Sequence, residues 1–172
     1  FYFSIVRDPA QVAESSFSYF RAAAPAFRSS PSLGAFLAAP WRYFRAGQRG
    51  NHYARNLLWF DFGLPEPAHP GQIPAILGQL EAIFPLVLLA ERFDESLVLL
   101  RHRLCWPRAA VDLFPHNARG SAHSLSAEQR RRLRAWNALD WALYSHFNRS
   151  FWRAAEEFGL ERLRREAAEL RR

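Results

Sequence analysis

The stretch Phe1-Tyr2-Phe3-Ser4-Ile5-Val6-Arg7-Asp8-Pro9 opens the 172-residue sequence. Its first six residues form a short apolar run rich in aromatic and β-branched residues, which predicts a buried strand. Asp8 is a favourable helix N-cap and Pro9 suits the first helical position, so a helix should start directly after the strand. Ligands of open α/β sheets bind at this carboxyl edge of the strands. Arg7 therefore stands where an anion could bind.

A phosphate is the anion that this arrangement favours. The start of a helix offers free N–H groups and the positive end of the helix dipole. Ser15 lies seven residues beyond Asp8, roughly 10 Å along the helix axis, so Arg7 and the Ser15 hydroxyl could hold one phosphate between them. The alternative is that Arg7 pairs with Asp8 or caps the edge of the sheet.

The remaining pattern continues this α/β order and is mostly helical, with few parallel strands. The first helix should run to about Ala24, before Pro25. Residues 26–50 hold several Pro, Gly and Ser residues and indicate a surface excursion around a small helix at 33–39. Further helices are predicted at 51–62, at 73–84, at 95–106 with Asp94 as the cap, and from Ser126 onward. A last helix at 160–172 should be solvated and laced by ion pairs. A second strand is predicted at 86–90. Two strands are too few for a complete sheet. We therefore expect residues 1–172 to be the C-terminal portion of one longer domain.

Composition narrows the function classes. Hydrophobic residues make up 49% of the chain and aromatic residues 15%, which is enough for a packed core. The 23 basic residues exceed the 16 acidic residues by seven, and all 23 are arginine. Arginine favours planar anions, although genome composition gives the same bias. The single cysteine, Cys105, excludes an internal disulfide and a Cys-rich zinc site, and we expect it to be buried. Histidine spacing predicts no metal site, and no motif indicates nucleic-acid binding.

Six segments of the sequence resemble the galactose 3-O-sulfotransferase family. Arg-Asp-Pro after a strand, with a serine eight residues after the arginine, resembles the element of sulfotransferases that binds the 3′-phosphate of 3′-phosphoadenosine 5′-phosphosulfate (PAPS). The resemblance extends through nearly the whole chain. The segments that carry it are SIVRDP (residues 4–9), ESSFSY (14–19), RNLLWFDFG (55–63), FDESLVLL (93–100), AWNALD (135–140) and FNRSFW (147–152).

The resemblance implies a partial P-loop-like sulfotransferase domain and a division of the PAPS site. Arg7 and Ser15 would bind the 3′-phosphate, and Arg119 in the loop 115–120 would fold over it. The Gly- and Lys-containing loop that holds the 5′-phosphosulfate, and the catalytic base, would both precede Phe1. The chain by itself is therefore expected to be inactive.

The acceptor would be a terminal β-galactose on a glycolipid or glycoprotein, sulfated on its 3-hydroxyl. His52 and Arg55 are our candidates for acceptor binding; a helix start with a solvent-facing histidine is the alternative. Asn148 begins an Asn-Arg-Ser glycosylation sequon. The resemblance implies a Golgi membrane enzyme with a lumenal domain and an anchor upstream. A glycosaminoglycan-type O-sulfotransferase and a non-catalytic glycan-binding module are the alternative functions.

Overall fold

The computed structural model describes residues 1–111 and 125–170. Two strands and ten α-helices lie in these ranges, together with short 3-10 turns. In chain order they are β1 (Phe3–Val6), α1 (Pro9–Tyr19), α2 (Pro25–Arg28), α3 (Leu33–Ala38), α4 (Pro40–Tyr43), α5 (Leu57–Asp61), α6 (Ile73–Ile83), β2 (Leu86–Leu89), α7 (Phe93–Arg103), α8 (Ala127–Trp136), α9 (Ala138–Phe158) and α10 (Leu160–Leu170). The predicted α/β order, mostly helical with two parallel strands, is confirmed.

The chain divides into two compact units. The described residues of the first, which we call the strand unit, are 1–7, 77–111 and 145–170. Those of the second, the helical unit, are 8–76 and 125–144.

The strand unit contains a two-stranded parallel sheet. β1 and β2 pair in register from Phe3 opposite Leu86 to Val6 opposite Leu89. All four residues of β2 are buried, as a continuous apolar run predicts for a parallel strand. The buried Ser96 hydroxyl of α7 donates to the Leu89 carbonyl (3.0 Å) and accepts from the Leu89 N–H (3.1 Å), which fixes the start of this helix against the end of β2.

The same unit holds the charged C-terminal helix. α10 packs against α7, with Leu163 and Ala167 buried. Glu166 of α10 accepts hydrogen bonds from Arg101 and from His102 of α7. The predicted helix and its ion pairs are confirmed, but one face is buried rather than solvated.

An aromatic core fills the helical unit. Phe27 and Phe36 are almost completely buried and meet edge to face with ring centroids 5.3 Å apart. Phe36 meets Trp136 of α8 in the same way at 5.8 Å. Burying each such ring stabilises a fold by roughly 1.5–3 kcal/mol. The prediction that residues 26–50 are a surface excursion is therefore wrong, because this segment supplies Phe27, Phe36, Leu37 and Phe44 to the core.

The side chain of Asn51 hydrogen-bonds to the backbone at two places in residues 26–50. Its buried side chain accepts from the Ala26 N–H (2.9 Å) and donates to the Arg45 carbonyl (3.0 Å). Gly50 precedes it with φ +88°, and a Cβ there would lie 2.3 Å from the Ala23 carbonyl oxygen. The close approach requires glycine at this position.

Two predicted helices are interrupted. The predicted helix 51–62 is a 3-10 turn (Asn51–Ala54) followed by α5, with Asn56 between them in the left-handed conformation at φ 48°. The predicted long helix begins at Ser126 with the expected Ser126–Gln129 capping box but breaks at Asn137, between α8 and α9. Both breaks occur at asparagines that hydrogen-bond to distant backbone groups.

Four smaller predictions also need correction. The predicted buried strand at residues 1–6 is β1 (Phe3–Val6), in which Phe3 and Ile5 share an exposed face and only Val6 is buried. α1 ends at Tyr19 rather than near Ala24, because Phe20 is already its C-cap. Asp94 lies in the first turn of α7 instead of capping it. Cys105 is exposed rather than buried, at a tight turn where its φ is +52°.

Candidate functional site

The end of β1 leads directly into α1. Arg7 follows the strand, belongs to the strand unit and is exposed. Asp8 caps α1 as predicted: its carboxylate accepts from the N–H groups of Ala10 (2.8 Å) and Gln11 (3.2 Å), and its carbonyl accepts from the Val12 N–H (3.0 Å). Pro9 has no N–H. The predicted free N–H groups at this helix start are therefore absent, since Asp8 binds all three.

Two adjacent serines of α1 have different surroundings. Ser15 is exposed, and no described residue hydrogen-bonds to its hydroxyl. Ser16 is buried, and its hydroxyl donates to the Tyr53 carbonyl at 2.7 Å. Of the two hydroxyls, only that of Ser15 is available to a ligand. Because Ser15 belongs to the helical unit, its joint use with Arg7 by one phosphate stays a prediction.

Arg55 lies among aromatic rings of the helical unit. Its guanidinium carbon is 5.1 Å from the ring centroids of both Trp41 and Trp136, and 5.9 Å from that of Phe44. No described residue accepts a hydrogen bond from the guanidinium, and its Nε is buried without a partner. The side chain lines an open groove of about 390 Å³ together with Trp41, Arg132 and Trp136. Cation–π attraction holds the charge here while its N–H donors stay unused.

A buried polar clasp fixes the backbone around Arg55. The Asn56 N–H donates to Oδ1 of Asn137 (2.7 Å), and Oδ1 of Asn56 accepts from the Leu139 N–H (3.3 Å). Asp140 accepts from the Trp59 N–H at 2.9 Å, inside the first turn of α5. We call Asn56, Asn137 and Asp140 the polar clasp. It joins the start of α5 to the start of α9 and so positions Arg55 beside Trp136.

Burial raises the pKa of Asp140 to about 6, against an ordinary value of 3.8, and the backbone N–H donors of α5 only partly offset this effect. The Asp140 side chain is 2% exposed. The carboxylate therefore acts within the fold, where it accepts from the Trp59 N–H in the first turn of α5.

His52 is half-buried on the 3-10 turn before Arg55. Its ring stacks on Phe60 with centroids 4.3 Å apart and 21° between the planes. Burial raises the pKa of Asp61, and the nearby His52 opposes that shift. Neither ring nitrogen hydrogen-bonds to a described residue, so His52 keeps donor and acceptor capacity on the same short segment as Arg55.

The glycosylation sequon lies in the middle of α9. Asn148 is half-buried, and the Ser150 hydroxyl donates to Glu81 at 2.6 Å. His146 and Arg153 also contact Glu81, at 2.9 Å and 2.7 Å. The hydroxyl that defines the sequon is thus engaged in the folded strand unit.

Three further predictions can be located. Arg119 lies outside the described residues. Within residues 1–111 and 125–170, no group of three or more His, Cys, Asp or Glu side chains could hold a metal ion. In the same part of the chain, no helix has the length and apolar character needed to cross a bilayer.

Sequence reasoning missed Trp41 and the polar clasp. Asn56, Asn137 and Asp140 lie within the segments 55–63 and 135–140, which carry the family resemblance, but spacing along the chain gave them no common role. Asn56 is a residue type that tolerates the left-handed conformation, and that is the one local signal for a break. Trp41 follows Pro40 in a segment predicted to lie on the surface.

Comparison with known proteins places the chain among sulfotransferases. The galactose-3-O-sulfotransferase family model matches residues 1–172. Galactose-3-O-sulfotransferase 2 of Sus scrofa is 51% identical over 99% of the chain and 44% of its own length. Galactosylceramide sulfotransferase of Mus musculus is 48% identical (99% and 42%), and galactose-3-O-sulfotransferase 4 of Homo sapiens is 41% identical (99% and 50%).

The chain spans half or less of the length of these relatives, 42–50%. No solved structure matches it.

Proposed function

The chain belongs to the galactose-3-O-sulfotransferase family, and from this premise we propose that it forms part of an enzyme that transfers sulfate from PAPS to galactose. The acceptor group is the 3-hydroxyl of a terminal β-galactose on a glycolipid or glycoprotein. The observation that carries the proposal is the family match over residues 1–172, with Arg7 exposed at the carboxyl end of β1.

Arg7 and Ser15 are the proposed ligands of the 3′-phosphate. Both are exposed, and a guanidinium and a hydroxyl suit phosphate oxygens. Since Asp8 occupies the N–H groups at the start of α1, the phosphate would rely on side chains rather than on the backbone of this helix start. They would orient the nucleotide, which lowers the entropic cost of the encounter with the acceptor. Arg119 is a third proposed ligand.

PAPS supplies the sulfuryl group, which passes in line from the phosphosulfate to the sugar oxygen. A base removes the proton of the 3-hydroxyl, and cationic groups stabilise the departing phosphate. We place this base, and the loop that holds the 5′-phosphosulfate in a P-loop-like domain, N-terminal to Phe1 in the full-length protein.

His52 and Arg55 are the proposed acceptor-binding residues. His52 lies on a short 3-10 turn of the helical unit and Arg55 follows that turn, and both keep unused hydrogen-bonding groups. Sugar hydroxyls both donate and accept, so a histidine and an arginine together can bind several of them.

The proposal includes a cellular setting. The full-length protein would be a Golgi membrane protein with a lumenal catalytic domain and an anchor upstream of Phe1. Asn148 would be its glycosylation site, modified before α9 forms because Ser150 is engaged with Glu81 afterwards. Glycosidase treatment of the full-length protein and of its Asn148→Gln variant tests this, with loss of a mass shift expected in the variant.

Calorimetric titration of the full-length lumenal domain with adenosine 3′,5′-bisphosphate tests the nucleotide site. We expect micromolar binding, weakened at least ten-fold in Arg7→Ala because a charged hydrogen bond is lost. Arg28→Ala removes the same charge from another exposed position and should change the dissociation constant less than two-fold.

A transfer assay with a β-galactoside acceptor completes the test. The expected product carries sulfate on the galactose 3-hydroxyl. A well-folded protein that binds no nucleotide would contradict the sulfotransferase proposal and favour a glycan-binding module. A polyanionic acceptor whose affinity falls steeply with salt would instead favour the glycosaminoglycan alternative.

A further inference from the structure

The Trp41–Arg55 groove combines an exposed indole with unused cationic donors. We define it by Pro40, Trp41, Arg55, Arg132 and Trp136, which line its open volume of about 390 Å³ within the helical unit. This volume lies in the range of small-ligand sites. The side chain of Trp41 is 62% exposed, although an indole of this size is usually covered.

The charge of the groove is positive. Arg55 and Arg132 line it, and no acidic side chain of the described residues does. Arg132 is partly neutralised, because its Nε donates to Glu128 at 2.6 Å and its Nη1 to the Ala38 carbonyl at 3.3 Å. Arg55 has no such partner. The uncompensated charge of the groove is therefore that of Arg55.

The bonding of Arg55 is incomplete. Its guanidinium carbon lies over the faces of Trp41 and Trp136, at 5.1 Å from each centroid, and its buried Nε has no acceptor. A buried donor without an acceptor is unfavourable unless a ligand supplies one. Guanidinium groups present their N–H donors as a planar fork, which matches the oxygens of a sulfate or a carboxylate.

The exposed indole of Trp41 adds a second element of recognition. The apolar face of a sugar ring, with its C–H groups, packs well on an aromatic face beside a polar handle. Trp41 is held in place by edge-to-face contacts with Trp136 (4.7 Å) and Phe44 (6.1 Å). A rigid aromatic platform next to an unpaired cation suits a sugar that carries a negative charge.

We propose that the Trp41–Arg55 groove binds an acidic sugar residue of the acceptor saccharide, with Trp41 against the ring and Arg55 on its sulfate or carboxylate. The identification of the ligand as a saccharide rests on the proposed function. The inference goes beyond that function because it gives the protein a preference for acceptors that carry a charge outside the reacting hydroxyl.

Binding measurements on the full-length lumenal domain test the proposal. The probes are lactose, lactose with a sulfate ester on its glucose residue, and the disaccharide with glucuronate in place of glucose. Calorimetry should show that an acidic probe binds at least ten-fold more tightly than lactose and weakens as salt rises. Binding of the sulfated probe alone identifies a sulfate ester as the ligand, and binding of the uronate alone identifies a carboxylate.

Variants assign the effect to the groove. Arg55→Gln should weaken binding of the acidic probe about ten-fold more than it weakens binding of lactose, because only the acidic probe carries a charge that the guanidinium can pair with. Arg55→Lys keeps the charge without the planar fork and should give an intermediate loss, so it also serves if Arg55→Gln is unstable. Arg42→Gln is the matched control, since Arg42 is exposed next to Trp41 on α4 but does not line the groove.

Equal affinity of the wild type for lactose and both acidic probes would overturn the proposal, as would equal losses in Arg55→Gln and Arg42→Gln. The result is separable from the proposed function. Sulfate transfer to lactose without a charge preference contradicts only the groove. Charge-dependent binding that requires Arg55, without any transfer, supports the groove and contradicts the enzyme.

Discussion

The end of β1 and the polar clasp both combine a helix start with polar side chains, but they use them differently. At the end of β1, Asp8 caps α1 from three residues away or less, while Arg7 and Ser15 remain exposed. In the clasp, Asn56 and Trp59 receive their partners from residues 81 positions away, and the polar groups are buried. The first region leaves two polar side chains exposed to solvent, and the second buries its polar side chains as partners of distant backbone groups.

The comparison predicts opposite responses to substitution. Changes in the clasp should lower the free energy of unfolding and affect ligands only through the fold. Changes at Arg7 and Ser15 should affect nucleotide binding with little change in stability. The Trp41–Arg55 groove depends on both kinds of residue, because the clasp positions the arginine that a ligand would contact.

Asp140 should show the largest effect. Asp140→Ala leaves the N–H groups at the start of α5 buried without an acceptor, so we expect a loss of about 3 kcal/mol in unfolding free energy. Urea denaturation followed by circular dichroism measures it. A loss below about 1 kcal/mol would show that the clasp is not a structural element.

The pH dependence of stability gives a second measure of Asp140. Its folded pKa of about 6 is above the ordinary 3.8, so the part of the unfolding free energy that depends on its protonation is complete below pH 3.8 and is lost as pH rises through 6. The difference between the ordinary pKa of 3.8 and the folded pKa of about 6 corresponds to about 3 kcal/mol. Asp140→Asn should remove this decline between pH 4 and 6. Subtracting its urea-derived stability curve from that of the wild type isolates the effect from Glu81 and Glu166, whose pKa values are lowered.

Asn56 should show the next largest effect. Asn56→Ala removes the acceptor of the Leu139 N–H and places alanine at φ 48°, with an expected loss of about 2 kcal/mol. Asn56→Gly removes the same side chain without backbone strain and should recover about 1 kcal/mol of it. Thermal and urea unfolding of the pair would contradict this if the two variants were equally stable.

Asp8 is the structural residue of the other region. Asp8→Ala should cost about 1 kcal/mol because two N–H groups of α1 lose their cap. Asp8→Asn keeps a capping oxygen and should stay within about 0.5 kcal/mol of the wild type. Chemical denaturation of both variants tests whether the cap, rather than the charge, is what matters.

The neighbouring serines should show the smallest changes and separate the two roles most cleanly. Ser16→Ala should cost about 1 kcal/mol of stability and leave the dissociation constant for adenosine 3′,5′-bisphosphate unchanged. Ser15→Ala should change stability by less than about 0.5 kcal/mol but weaken the nucleotide several-fold. Calorimetry and denaturation of the same preparations compare them, and the reverse pattern would contradict the assignment of Ser15.

Local features of the fold could be predicted from the sequence. The apolar runs gave both strands, Asp8 and Ser126 gave two helix caps, and the ion-paired pattern after residue 160 gave α10. The same local reading failed where a residue's partners are distant. Pro, Gly and Ser in residues 26–50 suggested a surface segment, yet its Phe27 and Phe36 are among the most buried residues of the helical unit.

In the candidate site too, the residues that are close in the sequence were predicted and those that are distant were missed. His52 and Arg55 were found because they lie on one short segment beside aromatic residues. Trp41 and Trp136 were not associated with them, because the groove brings together residues from α4, the turn before α5, and α8. The spacing of these residues along the chain does not predict that they lie together.

The sequence by itself determined the family through the six segments that resemble it. It also determined the α/β order and the local caps, because helix periodicity, apolar strand runs and N-capping depend on residues only a few positions apart. Tertiary structure alone decided which polar residues are buried and hydrogen-bonded to one another. It also decided which cationic side chain has no hydrogen-bond acceptor among the described residues. Asn56, Asn137 and Asp140 satisfy distant backbone groups, whereas Arg55 lies among aromatic rings that offer its N–H donors no acceptor. Burial sets that distinction, and burial depends on the packing of the whole unit.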